Sequence, residues 1–86
     1  MKEFFHMAFV NIGYGNIVNS DKVISIVSPD AAPMKRMIQS AKDDGTAIDA
    51  TCGKKTKSVM VMENHMLVLS SLLPDTIAGR FNNIET

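Results

Sequence analysis

Lys54, Lys55 and Lys57 stand within four positions, flanked by the hydroxyls of Thr51, Thr56 and Ser58. This short segment holds three of the chain's nine basic residues, and no acid interrupts it between Asp49 and Glu63. The formal charge of the whole chain is nevertheless zero, so any attraction for a polyanion must be local. Ammonium groups are compact point charges suited to phosphate, and hydroxyls can add hydrogen bonds to phosphate oxygens. The chemistry implied is anion binding, above all of a nucleic-acid backbone. A structural reading competes with it, because lysines at turns and sheet edges also keep strands from pairing with strangers. The lysines of one subunit would bind weakly and in a salt-sensitive way. An assembly that repeats the segment would bind more tightly through effective concentration, without any new contact.

Other reactive residues carry less. His6 falls in a tail and His65 in a turn, and a turn histidine is more often solvated than a general base. Cys52 has lysines close by that could activate a thiolate, but no histidine near in sequence to partner it. A small residue of this kind usually just packs. Asp43, Asp44 and Asp49 lack the spacing of a calcium loop, and no Cys/His cluster suggests a metal. Gly13-Tyr14-Gly15-Asn16 lacks the third glycine of a dinucleotide fingerprint and reads as a bulge or close backbone crossing. The residues therefore point away from an enzyme and require neither cofactor nor metal.

The elements that must position the lysines follow from periodicity. Phe9 to Ile12 reads as a strand, Gly13 to Asn16 bends it, and Ile17-Val18 resumes. Asn19-Ser20-Asp21 has turn composition. Val23 to Val27 is strongly β-branched and reads as a strand. Ser28 or Asp30 can cap a helix whose first turn contains Pro33. Met34, Met37, Ile38 and Ala41 recur on one face, with Lys35, Arg36, Gln39 and Lys42 opposite, and Gly45 ends it. Ala47 to Cys52 and Lys57 to Met62 are expected to form a hairpin around Gly53 to Thr56. Glu63 to His65 turns the chain into Met66 to Leu69, and Pro74-Asp75-Thr76 opens a short last helix with Ile77 and Phe81 on one face. The expected class is α+β: a small antiparallel sheet with one main amphipathic helix and a short C-terminal helix.

With 86 residues the chain makes one domain with a thin core. No run is long and apolar enough for a membrane span, residues 1–6 do not resemble a signal peptide, and a single cysteine fits a reducing, cytoplasmic setting. Val59 to Met62 and Met66 to Leu69 do not alternate, so both faces of these strands are apolar. Either the N-terminal segment and last helix cover the second face, or neighbouring subunits do. The expectation from the sequence is self-association.

Three stretches carry a resemblance: Asn11-Ile12-Gly13-x-Gly15-Asn16, Ser28-Pro29-x-x-Ala32-Pro33-x-Lys35-Arg36, and Ile48-Asp49-Ala50-Thr51-x-Gly53 followed by basic residues. In these the chain resembles the bacterial extracellular-matrix regulatory (RemA-type) proteins, from about Met7 through Phe81. Residues 1–6 would then be an extension, and 7–86 a single RemA-type domain. The resemblance implies a fold similar to the LytTR-type DNA-binding domain and a transcriptional regulator of biofilm-matrix genes. It implies double-stranded DNA as partner and a closed homo-oligomeric ring of about seven or eight subunits. DNA contacts would fall on Lys22, Lys54 and Lys55, with Lys57 beside them, and Pro33 would lie at the subunit contact. Relatives commonly carry arginine at the hairpin positions where this chain has lysine. Lysine lacks the planar fork that reads base edges, so phosphate-dominated binding is expected, with DNA shape supplying selectivity. The alternative is a structural or protein-interaction ring that binds no DNA.

Overall fold

The structure is a computed structural model that describes residues 9–83. The expectations for residues 1–6, including His6, fall outside that range. Phe9–Gly13 (β1) and Asn16–Asn19 (β2) form an antiparallel hairpin. Tyr14 and Gly15 both take positive φ between the paired Gly13 and Asn16, the pattern of a type I′ turn. The register slips between Asn11 and Gly13, as a bulge would make it. Period-two burial puts Val10 and Ile12 inside on β1 and leaves Phe9 and Asn11 exposed. A 3-10 turn, Ser20–Lys22, follows, with Asn19 Oδ1 accepting from the Asp21 N–H at 3.0 Å.

Val23–Val27 (β3) leads to the main helix, Ala32–Asp44 (α1). Neither Ser28 nor Asp30 caps it. Ser28 Oγ instead accepts from the Asp30 N–H, and Ala31 stands at the cap with no side-chain bond. The Ala31 carbonyl takes the first helical bonds, from the N–H groups of Met34 (3.0 Å) and Lys35 (3.1 Å). Gly45 ends the helix as expected, at φ 77, a left-handed conformation open to glycine at no steric cost.

Ala47–Asp49 (β4), Ser58–Met62 (β5), Leu67–Ser70 (β6) and the helix Pro74–Asn83 (α2) complete the chain. The fold is α+β, with a main helix, a short C-terminal helix and two sheets. The larger sheet runs β3-β5-β6-β4. This overturns the expected hairpin of Ala47 to Cys52 with Lys57 to Met62. β6 lies between the two segments, antiparallel to β5 and parallel to β4, so the sheet is mixed rather than antiparallel. The reason is visible in the backbone bonds. Ala50 N–H donates to Leu69 O (2.9 Å) and Lys57 N–H donates to Ser70 O (2.8 Å), so both ends of the connecting segment bond to β6 rather than to each other.

The sheet is covered on both faces within the chain. α1 packs Met34, Ile38 and Ala41 against Val59, Leu67 and Leu69. On the other side, Ile12 and Val18 of the hairpin and Ile77 of α2 pack against Met60 and Val68. The second apolar face of β5 and β6 therefore has an internal explanation, and the expectation that neighbouring subunits cover it is corrected for these residues. The cover is incomplete towards the sheet's edges, where Ile24 of β3 (63%) and Ile48 of β4 (49%) are exposed.

Two fully buried serines hold the layers together. Ser58 and Ser70 are register partners on β5 and β6. Ser58 Oγ donates to the Leu72 carbonyl, and Ser70 Oγ donates to Ile12 O at 2.8 Å while accepting from Leu72 N–H at 3.0 Å. Arg80 Nη1 adds a bond to Asn11 O (2.9 Å), tying α2 to β1. Replacing Ser70 by alanine strands the buried Ile12 carbonyl. Ser70→Ala is expected to lose about 1–3 kcal/mol of stability, measured by urea denaturation, whereas an unchanged midpoint would show that the hydroxyl holds nothing.

Candidate functional site

The lysine segment is the connection between β4 and β5, and it spans the end of β6. Its shape begins with Asp49, whose Oδ1 accepts from the Thr51 N–H (2.9 Å) and from Thr51 Oγ1 (2.6 Å). These two bonds hold the Asp49 carboxyl below its ordinary pKa, the side-chain bond most, with the charge of Lys42 helping and partial burial opposing. The chain then reverses in a tight turn closed by Lys54 N–H to Thr51 O at 3.0 Å. Cys52 (φ 54) and Gly53 (φ 80) are its central residues, again the type I′ pattern. The turn thus lies earlier than Gly53 to Thr56. Lys54, Lys55 and Lys57 follow it on the approach to β5, all exposed.

Two of the three neighbouring hydroxyls are not available to a ligand. Thr51 is buried and bonded to Asp49, and Ser58 is buried and bonded to Leu72. The expectation that both would bond phosphate is corrected: they shape the segment. Thr56, half-buried, is the hydroxyl left beside the lysines.

Lys22 is not brought to this segment. It precedes β3, where its carbonyl accepts from Glu63 N–H (2.8 Å) and its Nζ lies 3.6 Å from Glu63 Oε1. Glu63 follows β5 and Lys57 precedes it, so Lys22 stands at the opposite end of the sheet, roughly 20 Å away at ~3.3 Å per residue. Its ion pair is exposed and weak, so Glu63 can release it to a stronger partner. Lys54, Lys55 and Lys57 form no ion pair among the described residues.

Pro33 sits in the first turn of α1, exposed, beside an open groove shared with Met37, Thr46, His65 and Leu67. A smaller cleft of about 330 Å³ separates the start of α1 from the lysine segment, and Lys35, Ile38, Lys55 and Thr56 line it together with Pro29 and Asp30. Sequence reasoning placed Lys35 on the outer face of α1 and gave it no role; nothing in the local sequence says that this turn of helix faces the lysines. Cys52 does not pack, since it is exposed at the turn, and His65 lies across the sheet from it in the β5–β6 connection. Among the described residues no group of three or more His, Cys, Asp or Glu could hold a metal ion, and no helix is long and apolar enough to cross a membrane.

Asp49 gives the segment a pH dependence. A lowered carboxyl pKa means that its contribution to stability is present above the ordinary value of about 3.9 and is lost as pH falls through the lowered one. Asp49→Ala, which leaves the buried Thr51 hydroxyl unpartnered, is expected to lose about 1–3 kcal/mol at pH 7 by denaturant titration. The gap between the variant and the unaltered protein is expected to narrow as pH falls below ~4 and through the lowered value, where the charge-linked part of the interaction is lost; a gap of the same size at acid pH would show that the carboxylate charge is not involved.

Residues 9–81 match the RemA-like family, described as extracellular matrix regulatory protein A-like. A relative named "Putative regulatory protein" from Lachnoclostridium phytofermentans is 58% identical over 77 residues, covering 90% of this chain and 85% of its own. Proteins of the same description from Bacillus cytotoxicus and Bacillus mycoides are each 52% identical over 79 residues, covering 92% of this chain and 91% of theirs. The match spans both sheets, α1 and the lysine segment at once, and the chain belongs to the RemA-like family of regulatory proteins.

Proposed function

We propose that this chain is a ring-forming, DNA-binding transcriptional regulator of extracellular-matrix genes that holds DNA phosphates through the lysine segment of each subunit. The observation that carries this reading is the segment itself: three exposed lysines, without an ion-pair partner among the described residues, on a connection anchored at both ends. A neutral chain that leaves cations unpaired in one place has built a local anion site. The family description, extracellular matrix regulatory protein A-like, supports the extracellular-matrix role.

Assembly is supported by the arrangement of apolar surface. β3 and β4 are opposite edges of one sheet, and each exposes an isoleucine, Ile24 on one and Ile48 on the other. Beside β4, a pocket of about 530 Å³ is lined by Ile17, Ile48, Met62 and Met66, with Lys22 and Glu63 at its border. Two different adhesive sides suit head-to-tail contacts, which close into a ring when the rotation allows. In such a ring the lysine segments recur around the rim, and Lys22 of each subunit meets the DNA as a separate contact. Lysines grip phosphate without reading base edges, so selectivity rests on DNA shape and bendability.

Two variants test the reading. Lys54→Ala/Lys55→Ala is expected to lose at least tenfold in affinity for a long duplex by fluorescence anisotropy, at unchanged mass by light scattering, in keeping with the loss of about two released counterions per engaged segment. Unchanged affinity would leave the lysines as solubilising groups and turn attention to a protein partner. Pro33→Ser, at the border of the α1 groove, is expected to change the assembled mass while leaving the circular dichroism of the subunit intact; an unaltered mass would remove Pro33 from the subunit contact.

A further inference from the structure

Among the described cations outside the lysine segment, Lys35 shares a cleft with that segment. Lys35 and Lys55 are far apart in sequence, yet they line the same cleft, with Thr56 lining it next to Lys55. Neither lysine is ion-paired with Asp30, the carboxylate among the residues lining that cleft. A phosphate seated in the cleft would therefore meet an ammonium group from each of the two elements. The position of Lys35 is also costly to the helix. It lies in the first turn of α1, where the helix dipole disfavours a cation, and no acid accompanies it there.

We infer that Lys35 is a DNA-phosphate contact, which with Lys55 and Thr56 clamps a backbone phosphate in the cleft between α1 and the lysine segment. This rests on the DNA-binding reading and extends it from one segment to two elements. The clamp fixes the phosphate from two directions, so it orients the duplex relative to α1 as well as holding it. Asp30 opposes the clamp, and its removal tightens it.

The test is a salt titration of duplex binding by the full chain carrying Lys35→Gln, Lys35→Arg or Asp30→Asn, beside Lys54→Ala/Lys55→Ala. For Lys35→Gln the log–log salt slope is expected to become shallower by about 0.9 for each clamp engaged. Lys35→Arg is expected to keep the slope, and Asp30→Asn to raise affinity. Thermal denaturation of Lys35→Gln should show no loss of stability, because the change removes an unfavourable charge from the helix start. A Lys35→Gln slope equal to that of the unaltered protein overturns the clamp, as does a Lys35→Arg slope that falls equally. If the clamp fails while Lys54→Ala/Lys55→Ala still loses binding, the DNA-binding reading stands without Lys35. If the unaltered protein shows no salt-dependent binding at all, both are overturned.

Discussion

The buried pair Ser58–Ser70 is the constraint on which the rest of the molecule depends. The two residues face each other across β5 and β6 with no accessible surface, and a hydroxyl in that position must find a partner or cost free energy. Ser70 finds Ile12 and Leu72, and Ser58 finds Leu72. Through these bonds the end of the central strands is tied to β1 and to the chain leading into α2. Those are the elements that cover the second sheet face. The same end of β5 and β6 is where the lysine segment enters, with Lys57 bonded through its backbone to Ser70. The polar knot that closes the core thus also fixes the exit of the functional segment.

From this follows a division of labour among similar side chains. Thr51 and Ser58 turn inward and give the segment its shape, while Thr56 and the lysines stay available. Asp49 contributes by accepting from Thr51, and among the described residues it forms no ion pair with the lysines. The cationic surface is therefore built on a rigid base rather than on a loose tip. Rigid placement matters for a point charge, because ordering a long lysine at a phosphate already costs side-chain entropy. In the proposed assembly, contacts distributed over many subunits would leave each chain neutral and each contact weak, yet let the whole hold a polyanion firmly.

Much of this was legible in the sequence, for physical reasons that differ by element. α1 announced itself through Pro33 at its start, the apolar spacing of Met34, Ile38 and Ala41, and the stop at Gly45, all of which act locally. The strands were legible as strands, but their order was not. Nearness in sequence favoured a hairpin of β4 with β5, whereas the placement of β6 between them depends on bonds such as Ala50 to Leu69 that join distant residues. The apolar doubling of β5 and β6 was visible, but what covers it depends on how the β1–β2 hairpin folds back. The lysine cluster stood out by composition alone. The inward commitment of Thr51 and Ser58 did not, since a hydroxyl reads the same whether it serves a ligand or the backbone. The approach of Lys35 to Lys55 lies at a tertiary junction that no local pattern encodes.

The slope of log affinity against log salt for the unaltered protein on long duplex DNA tests the central claim most directly. A single subunit that engaged all of Lys22, Lys35, Lys54, Lys55 and Lys57 could reach a slope of only about −4.5. Repeated engagement around an assembly predicts a slope clearly steeper than that. A slope no steeper than what one subunit can supply would contradict an assembly that gathers its affinity from many copies of a small site.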